Sequence, residues 1–303
     1  MNPRTMSRGR RIGWSIALVY LVGLIGFAVA FGIKGHKNET FKVIDSFHLE
    51  SWFHIAGPLD FNKGVLYLLI ATVITLGVML FVAGHMRMRP GRLQVAVEMG
   101  YNLMSQVTRE NMDEGRTKKW FPFVFTLFVF ILVSNLIGYI PLPVDSQNTF
   151  RLFGTNIPSF QIYAAVTNVA VPLVLALGVF VAYNVEGVRA HGLFGYLKSL
   201  IPAGVGGPML ILIVPLEMLS NFILRPLSLT IRLWANLLAG HLLIDFMAGN
   251  LAVLLGLQLL GWLTLPIGVV IFLFEAVLIA GLQAFIFAIL TAIYLGGATS
   301  ASH

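Results

Sequence analysis

Two arginines, a histidine and an aspartate sit within the 21 residues from Arg225 to Asp245, RPLSLTIRLWANLLAGHLLID, a stretch otherwise apolar enough to lie in a lipid bilayer. Their chemistries differ. A guanidinium stays charged at any ordinary pH, so Arg232 can attract and discharge a carboxylate but cannot relay protons as an acid or base. His241 can titrate and, with Asp245 one helical turn away, suits a proton pathway. A second group follows in FEAVLIAGLQAFIFAILTAIYL, Phe274 to Leu295, where Glu275 and Gln283 stand eight residues apart, about 12 Å along a helix axis. A glutamate in apolar surroundings is a typical proton-relay element, and a glutamine can bond a partner side chain across helices. The alternative for Glu275 is a pair with His241 or Arg232 that only fixes packing.

Charge at bilayer depth costs from a few kcal/mol to roughly ten or more, so these residues need partners or a task. At about 100° per residue, Arg232, Asn236, Ala239 and Gly240 fall within about one third of a helix circumference, while His241 and Asp245 fall nearly opposite. The Arg232 face is lined by Ala235, Ala239 and Gly240, and small side chains let another helix approach closely. Arg225 beside Pro226 reads as a structural arginine, snorkelling or bonded to freed backbone carbonyls. Arg232 lies seven residues deeper, with Glu217 and Glu275 as the main internal acids and Asp245 on the wrong face. An intramembrane arginine so poorly supplied points to a carboxylate on another subunit.

The elements that position these residues follow from composition. Hydrophobic residues make up 57% of the 303 residues and charged residues 11%, with a mean hydropathy of +0.85. A soluble domain carries about 25% charge, so this is an integral membrane protein. The net charge of +7 sits in short segments between apolar spans, where attraction to the cytoplasmic leaflet explains it better than nucleic-acid binding does. There are no cysteines, which excludes disulfides, thiolate metal sites and thiol catalysis.

A helix crosses the hydrocarbon core with about 20 residues. Spans are expected at Ile12–Ile33, Val65–Val82, Trp120–Leu142 and Ile162–Val185, followed by two longer apolar regions, Met209–Met247 and Leu251–Leu295. That makes an all-α polytopic bundle of about six membrane segments. The last two are too long for upright helices, so tilting, kinking or re-entry is expected, with Pro215, Pro226 and Pro266 as break points. Residues 1–33 form a membrane span or a signal-like segment, 34–62 an extracytoplasmic segment, and 63–303 one membrane domain with its core at 120–295. With a cytoplasmic N-terminus, thirteen basic residues fall inside and five outside, which also places the C-terminus inside. The segment Arg92 to Arg116 reads as a helix along the cytoplasmic surface, or else as a connecting loop.

The stretches RPLSLTIRLWANLLAGHLL and LQAFIFAILTAIYL closely resemble subunit a of the F-type rotary ATP synthase, and FVFILVSNLIGYIPLP and LALGVF extend the resemblance over roughly residues 52 to 296. It implies a stator ion-channel subunit that conducts protons, with sodium as the alternative, through two offset half-channels to and from a carboxylate on the c-ring. Ion flow would thereby be coupled to rotation and ATP synthesis. It places the family's essential arginine at Arg232, its asparagine at Asn236, its small position at Gly240 and its glutamine at Gln283, with Asn135 and His241 in the outer half-channel. Asn168 and Asp245 are secondary candidates. Two acids depart from the family pattern by one residue: Glu275 lies one position before the family's usual one, which Ala276 occupies, and Glu217 has one extra residue between it and Pro226. The partners implied are c-ring subunits, b-type peripheral stalk subunits, the F1 sector indirectly, and the bilayer. No cofactor, metal or catalytic site of its own is implied, and the location is an energy-transducing membrane, a bacterial inner membrane. No GxxxxGK[ST] loop occurs in the chain.

Two rival classes place similar residues at mid-membrane. A secondary transporter would show matched halves and discontinuous helices around a substrate site. An intramembrane hydrolase would need a nucleophile and base or metal ligands; His241 and Asp245 form an HxxxD pair, without a third close ligand or an HExxH arrangement.

Overall fold

The computed structural model describes residues 18–23, 25, 51–56, 59–86, 88–152, 155–200, 209–247 and 258–299. The expected first span therefore lies mostly outside the described residues. Five described helices are long and apolar enough to cross a membrane: Lys63–Gly84, Glu114–Gly138, Ala170–Ser199, Met209–Ile244 and Pro266–Thr299. The all-α bundle read from hydropathy is the architecture found. Two antiparallel β-hairpins supplement it, β1 (Ser51–Ala56) with β2 (Leu59–Asn62) and β3 (Leu142–Leu152) with β4 (Thr155–Gln161).

Local chemistry sets the helix ends. Helix α1 (Lys63–Gly84) starts at Asn62, whose Oδ1 accepts from the Val65 N–H at 3.1 Å, the usual service of an asparagine at an N-cap. Helix α2 (Arg92–Asn111) is the amphipathic segment expected at a membrane surface. Its Met104, Val107 and Thr108 are buried, and the helix packs on α3 (Glu114–Gly138) and α8 (Ala280–Thr299). Helix α4 (Ala170–Ser199) bends at Gly192, whose φ of 72° and ψ of 166° suit a residue without a Cβ.

The long apolar regions are α5 (Met209–Leu219) running through a π-helical turn, Ser220–Leu224, into α6 (Arg225–Asp245), and α7 (Gln258–Leu273) running through a second π turn, Phe274–Ile279, into α8. The expected breaks at Pro215, Pro226 and Pro266 do not occur; helix continues through all three. At Pro226 the reason is visible. Proline has no N–H and its ring crowds the carbonyl four residues back, Phe222. The turn just before it is widened, with the Arg225 N–H donating to Ser220 O, five residues back.

The chain divides into two compact units, Phe47–Ala239 with Glu275–His303, and Met1–Ser46 with Gly240–Phe274. In the larger unit, α8 lies against α2, α3 and α4. Ala280, Ala284, Ala288, Ala292 and Gly296 recur every fourth residue along its buried face. Lipid tails are as apolar as leucine, so helices in a membrane associate through close packing, and a ridge of small residues permits it. The approach is tightest at Gly296, where a Cβ would collide with the Asn111 carbonyl of α2. Met104, Phe125, Phe128 and Ile131 fill the core beside this ridge. In the smaller unit, Thr264 on α7 donates to the Met247 carbonyl at 3.3 Å, and Gly268 faces the same residue. Helix α7 thus returns beside the end of α6.

Candidate functional site

Helix α6 buries Leu229, Leu233 and Leu237, one residue per turn, in the core shared with α8. That stripe fixes what faces away. Ser228, Ile231, Arg232, Ala235 and Ala239 are exposed and Asn236 is half-buried, all within about 140° of arc that excludes the leucines. Trp234 holds the helix in this rotation, its indole N–H donating to the Thr167 carbonyl at 2.9 Å. Arg232 therefore stands on an open apolar face with small neighbours and, among the described residues, no ion-pair partner. Gly240 closes the same third of the circumference. It is buried, because it sits about 80° from Arg232 and within about 20° of the leucine stripe. His241, nearly opposite Arg232, is buried as well, at 1% exposure. Asp245 ends the helix.

The second π turn bears on Glu275. Eight residues of uninterrupted α-helix would leave Glu275 and Gln283 about 80° apart; a π turn absorbs one extra residue and reduces the offset to about 20°. The one-residue departure of Glu275 from the family position thus falls on a turn that takes up one residue. The same arithmetic applies to Glu217, half-buried on α5, since the first π turn lies between it and Pro226. Glu217 and Arg232 end up within about 40° of each other and about 21 Å apart along the axis.

Helix α3 meets the Glu275 segment directly. Asn135 is fully buried, and its Nδ2 donates to the Ala280 carbonyl at 3.3 Å. Its Oδ1 is buried without a hydrogen-bond partner. One turn further, the buried Tyr139 hydroxyl donates to Glu275 Oε2 at 3.4 Å. Gln283 is 4% exposed on the same helix as Ala280. The structure therefore gathers Asn135, Tyr139, Glu275 and the Ala280–Gln283 turn into one polar seam between α3 and the start of α8. Tyr139 was not singled out from the sequence, though its position four residues after Asn135 puts both on one face of a helix.

Arg225 belongs to a different group. Its guanidinium donates to Asn221 Oδ1 at 2.5 Å and lies 5.1 Å from the centroid of the Tyr294 ring. Asn221 in turn donates to the Tyr196 hydroxyl at 3.1 Å, Tyr196 donates to Asn184 Oδ1 at 2.9 Å, and Tyr183 donates to the Asn221 carbonyl. This network clamps the first π turn to α4 and α8. Asn168 has a local task, its Oδ1 accepting from the Ala170 N–H at 3.0 Å where α4 begins. Among the described residues no three His, Cys, Asp or Glu side chains cluster as a metal site.

The sequence profile of the family described as ATP synthase A chain matches residues 65–296. The chain is 37% identical over 268 residues to ATP synthase subunit a of Rhodopseudomonas palustris (strain BisA53), covering 86% of this chain and 98% of that protein. Subunit a of Bradyrhizobium diazoefficiens is 37% identical, again over 86% and 98% of the two chains. That of Acidiphilium cryptum is 34% identical over 86% and 96%. With its multi-pass helical architecture, its open arginine face and these likenesses over most of its length, the chain belongs to the ATP synthase subunit a family.

Proposed function

We propose that this chain is the fixed half of a rotary proton path, with Arg232 as the barrier between two half-channels and a ring of carboxylate-bearing helices as the moving half. The observation that carries this reading is the exposure of Arg232 on an apolar, small-residue face of α6 with no ion-pair partner among the described residues. A permanent cation there favours a carboxylate brought by another helix. The carboxylate arrives on the ring in its neutral form, which travels through lipid at little cost, and loses its proton beside the arginine. The guanidinium offers no site for a proton and repels one, so it also prevents a direct leak between the half-channels.

The seam of Asn135, Tyr139, Glu275 and Gln283 suits the entry half-channel. Asn135 holds a buried acceptor free for a passing proton carrier, and Tyr139 can hand a hydroxyl proton to or from Glu275. His241 joins this path on its chemistry alone, as the titrating group of α6. Glu217, on the Arg232 face and about 21 Å along the axis, suits the exit half-channel. In this reading the termini and the basic ends of the helices lie in the cytoplasm of a bacterial inner membrane. The chain contacts c-ring and peripheral stalk subunits and binds no nucleotide. Each proton crossing contributes about 2.3 kcal/mol per 100 mV, so several drive the synthesis of one ATP elsewhere in the complex.

The test is ATP-driven acidification of inverted vesicles, followed by fluorescence quenching, in wild type, Arg232→Ala and Ser228→Ala. Ser228 is exposed on the same face and serves as the control. Pumping is expected to vanish in Arg232→Ala with the complex still assembled and to persist in Ser228→Ala. Undiminished pumping by assembled Arg232→Ala would overturn the mechanism.

A further inference from the structure

A groove of about 560 Å³ runs between the last turns of α1, one face of α2 and the first turns of α3. Its body is apolar, walled by Met79, Val82, Val97, Phe121 and Phe125. Arg109 and Lys118 stand at one end. A smaller chamber of about 230 Å³ adjoins it there, sharing Arg109, Thr117 and Lys118 and adding Met112 and Glu114. Lys118 is paired with Glu114 at 3.1 Å, whereas Arg109 is exposed and has no acidic partner among the described residues. The two cations therefore outnumber the one carboxylate at this end. None of these residues belongs to the seam or to the arginine face.

An apolar channel that ends in a small cationic chamber has the shape and polarity of a single amphiphile. The volume lies within the roughly 300–1,000 Å³ of small-molecule sites, and the chamber holds Arg109 near the end of α2 and Lys118 in the first turns of α3, the kind of basic helix end that attracts anionic headgroups. We propose that this groove holds one acyl chain of an anionic phospholipid, with its phosphate between Arg109 and Lys118. A protein helix would fill the apolar body but would leave the chamber's cations without an anion, so lipid is the better match. The Lys118–Glu114 pair opens at no great cost, being exposed on both sides.

The experiment uses the complete ATP synthase complex, purified in mild detergent and titrated with phosphatidylglycerol or phosphatidylcholine, with bound lipid counted by native mass spectrometry. Wild type is expected to retain phosphatidylglycerol selectively. The double variant Arg109→Ala/Lys118→Ala, which removes both cations that would face the phosphate, is expected to bind that tightest phosphatidylglycerol about thirtyfold more weakly, at about tenfold per 1.4 kcal/mol. The charge-preserving Arg109→Lys/Lys118→Arg pair should stay within a few-fold of wild type. Equal retention of the two lipids, or a double variant that binds as wild type does, would overturn the proposal. A photo-reactive phenylalanine at Val97 gives an independent answer should the double variant fail to assemble. Cross-linking to lipid is expected; cross-linking to a neighbouring polypeptide, or to nothing, would sink the proposal.

Discussion

Deleting one residue from a membrane helix normally rotates everything beyond it by about 100°, which is enough to turn a lining side chain into the neighbouring packing. The π turn at Phe274–Ile279 makes this helix an exception at one place. Removing Ala276 converts the wide turn into ordinary α-helix, leaving Glu275 and Gln283 seven residues apart and still within about 20° of one face. Tyr139 keeps its reach to Glu275, because α8 downstream stays anchored through its alanine ridge and through Arg116, whose guanidinium donates to the Thr299 carbonyl at 2.9 Å. Deleting Ile289 from the plain α-helical part of α8 has no such relief. It swings the Ala280–Gln283 turn about 100° away from Asn135. ATP-driven quenching in inverted vesicles, normalised to assembled complex, should therefore show the Ala276 deletion pumping at a sizeable fraction of wild type and the Ile289 deletion near background. Equal damage from the two deletions would refute the idea that the π turn is what keeps Glu275 in register with Gln283.

Two further outcomes concern stability. Gly296→Ala places a methyl against the Asn111 carbonyl and should destabilise the fold by about 1–3 kcal/mol through overpacking, whereas Gly297→Ala, with nothing within 4 Å of its Cβ, should be neutral; thermal dissociation of the complex compares them. Lys119 Nζ holds both oxygens of the buried Glu186 carboxylate, at 2.8 and 2.6 Å. Lys119→Met should cost about 2 kcal/mol, between the value of an exposed pair and that of a buried one. Adding Glu186→Leu should recover much of it, and no recovery would mean that the stranded carboxylate is not the source of the loss.

Although the span expected at Ile162–Val185 is helix over Ala170–Ser199, the sequence by itself determined the solvent, the presence of each described span and the arc of α6 that carries Arg232. These are local properties. Hydropathy is summed over about 20 neighbouring residues, and the arc that separates Arg232 from Leu229, Leu233 and Leu237 follows from the rise and turn of one helix. Gly240, about 80° from Arg232 on the same third of the helix, is buried because that edge of the arc adjoins the leucines. The tertiary structure alone decided the rest. Glu275 meets Tyr139 across 136 residues of chain, and such a meeting depends on the axial offset and rotation of two helices that spacing within either one does not encode. The π turns have the same origin. The extra residues before Pro226 and before Gln283 were visible as offsets, but whether a helix accommodates one by rotating its face or by widening a turn depends on what anchors each flank. Here Asn221 and Tyr294 hold Arg225 just past the first wide turn, and the alanine ridge holds α8 after the second.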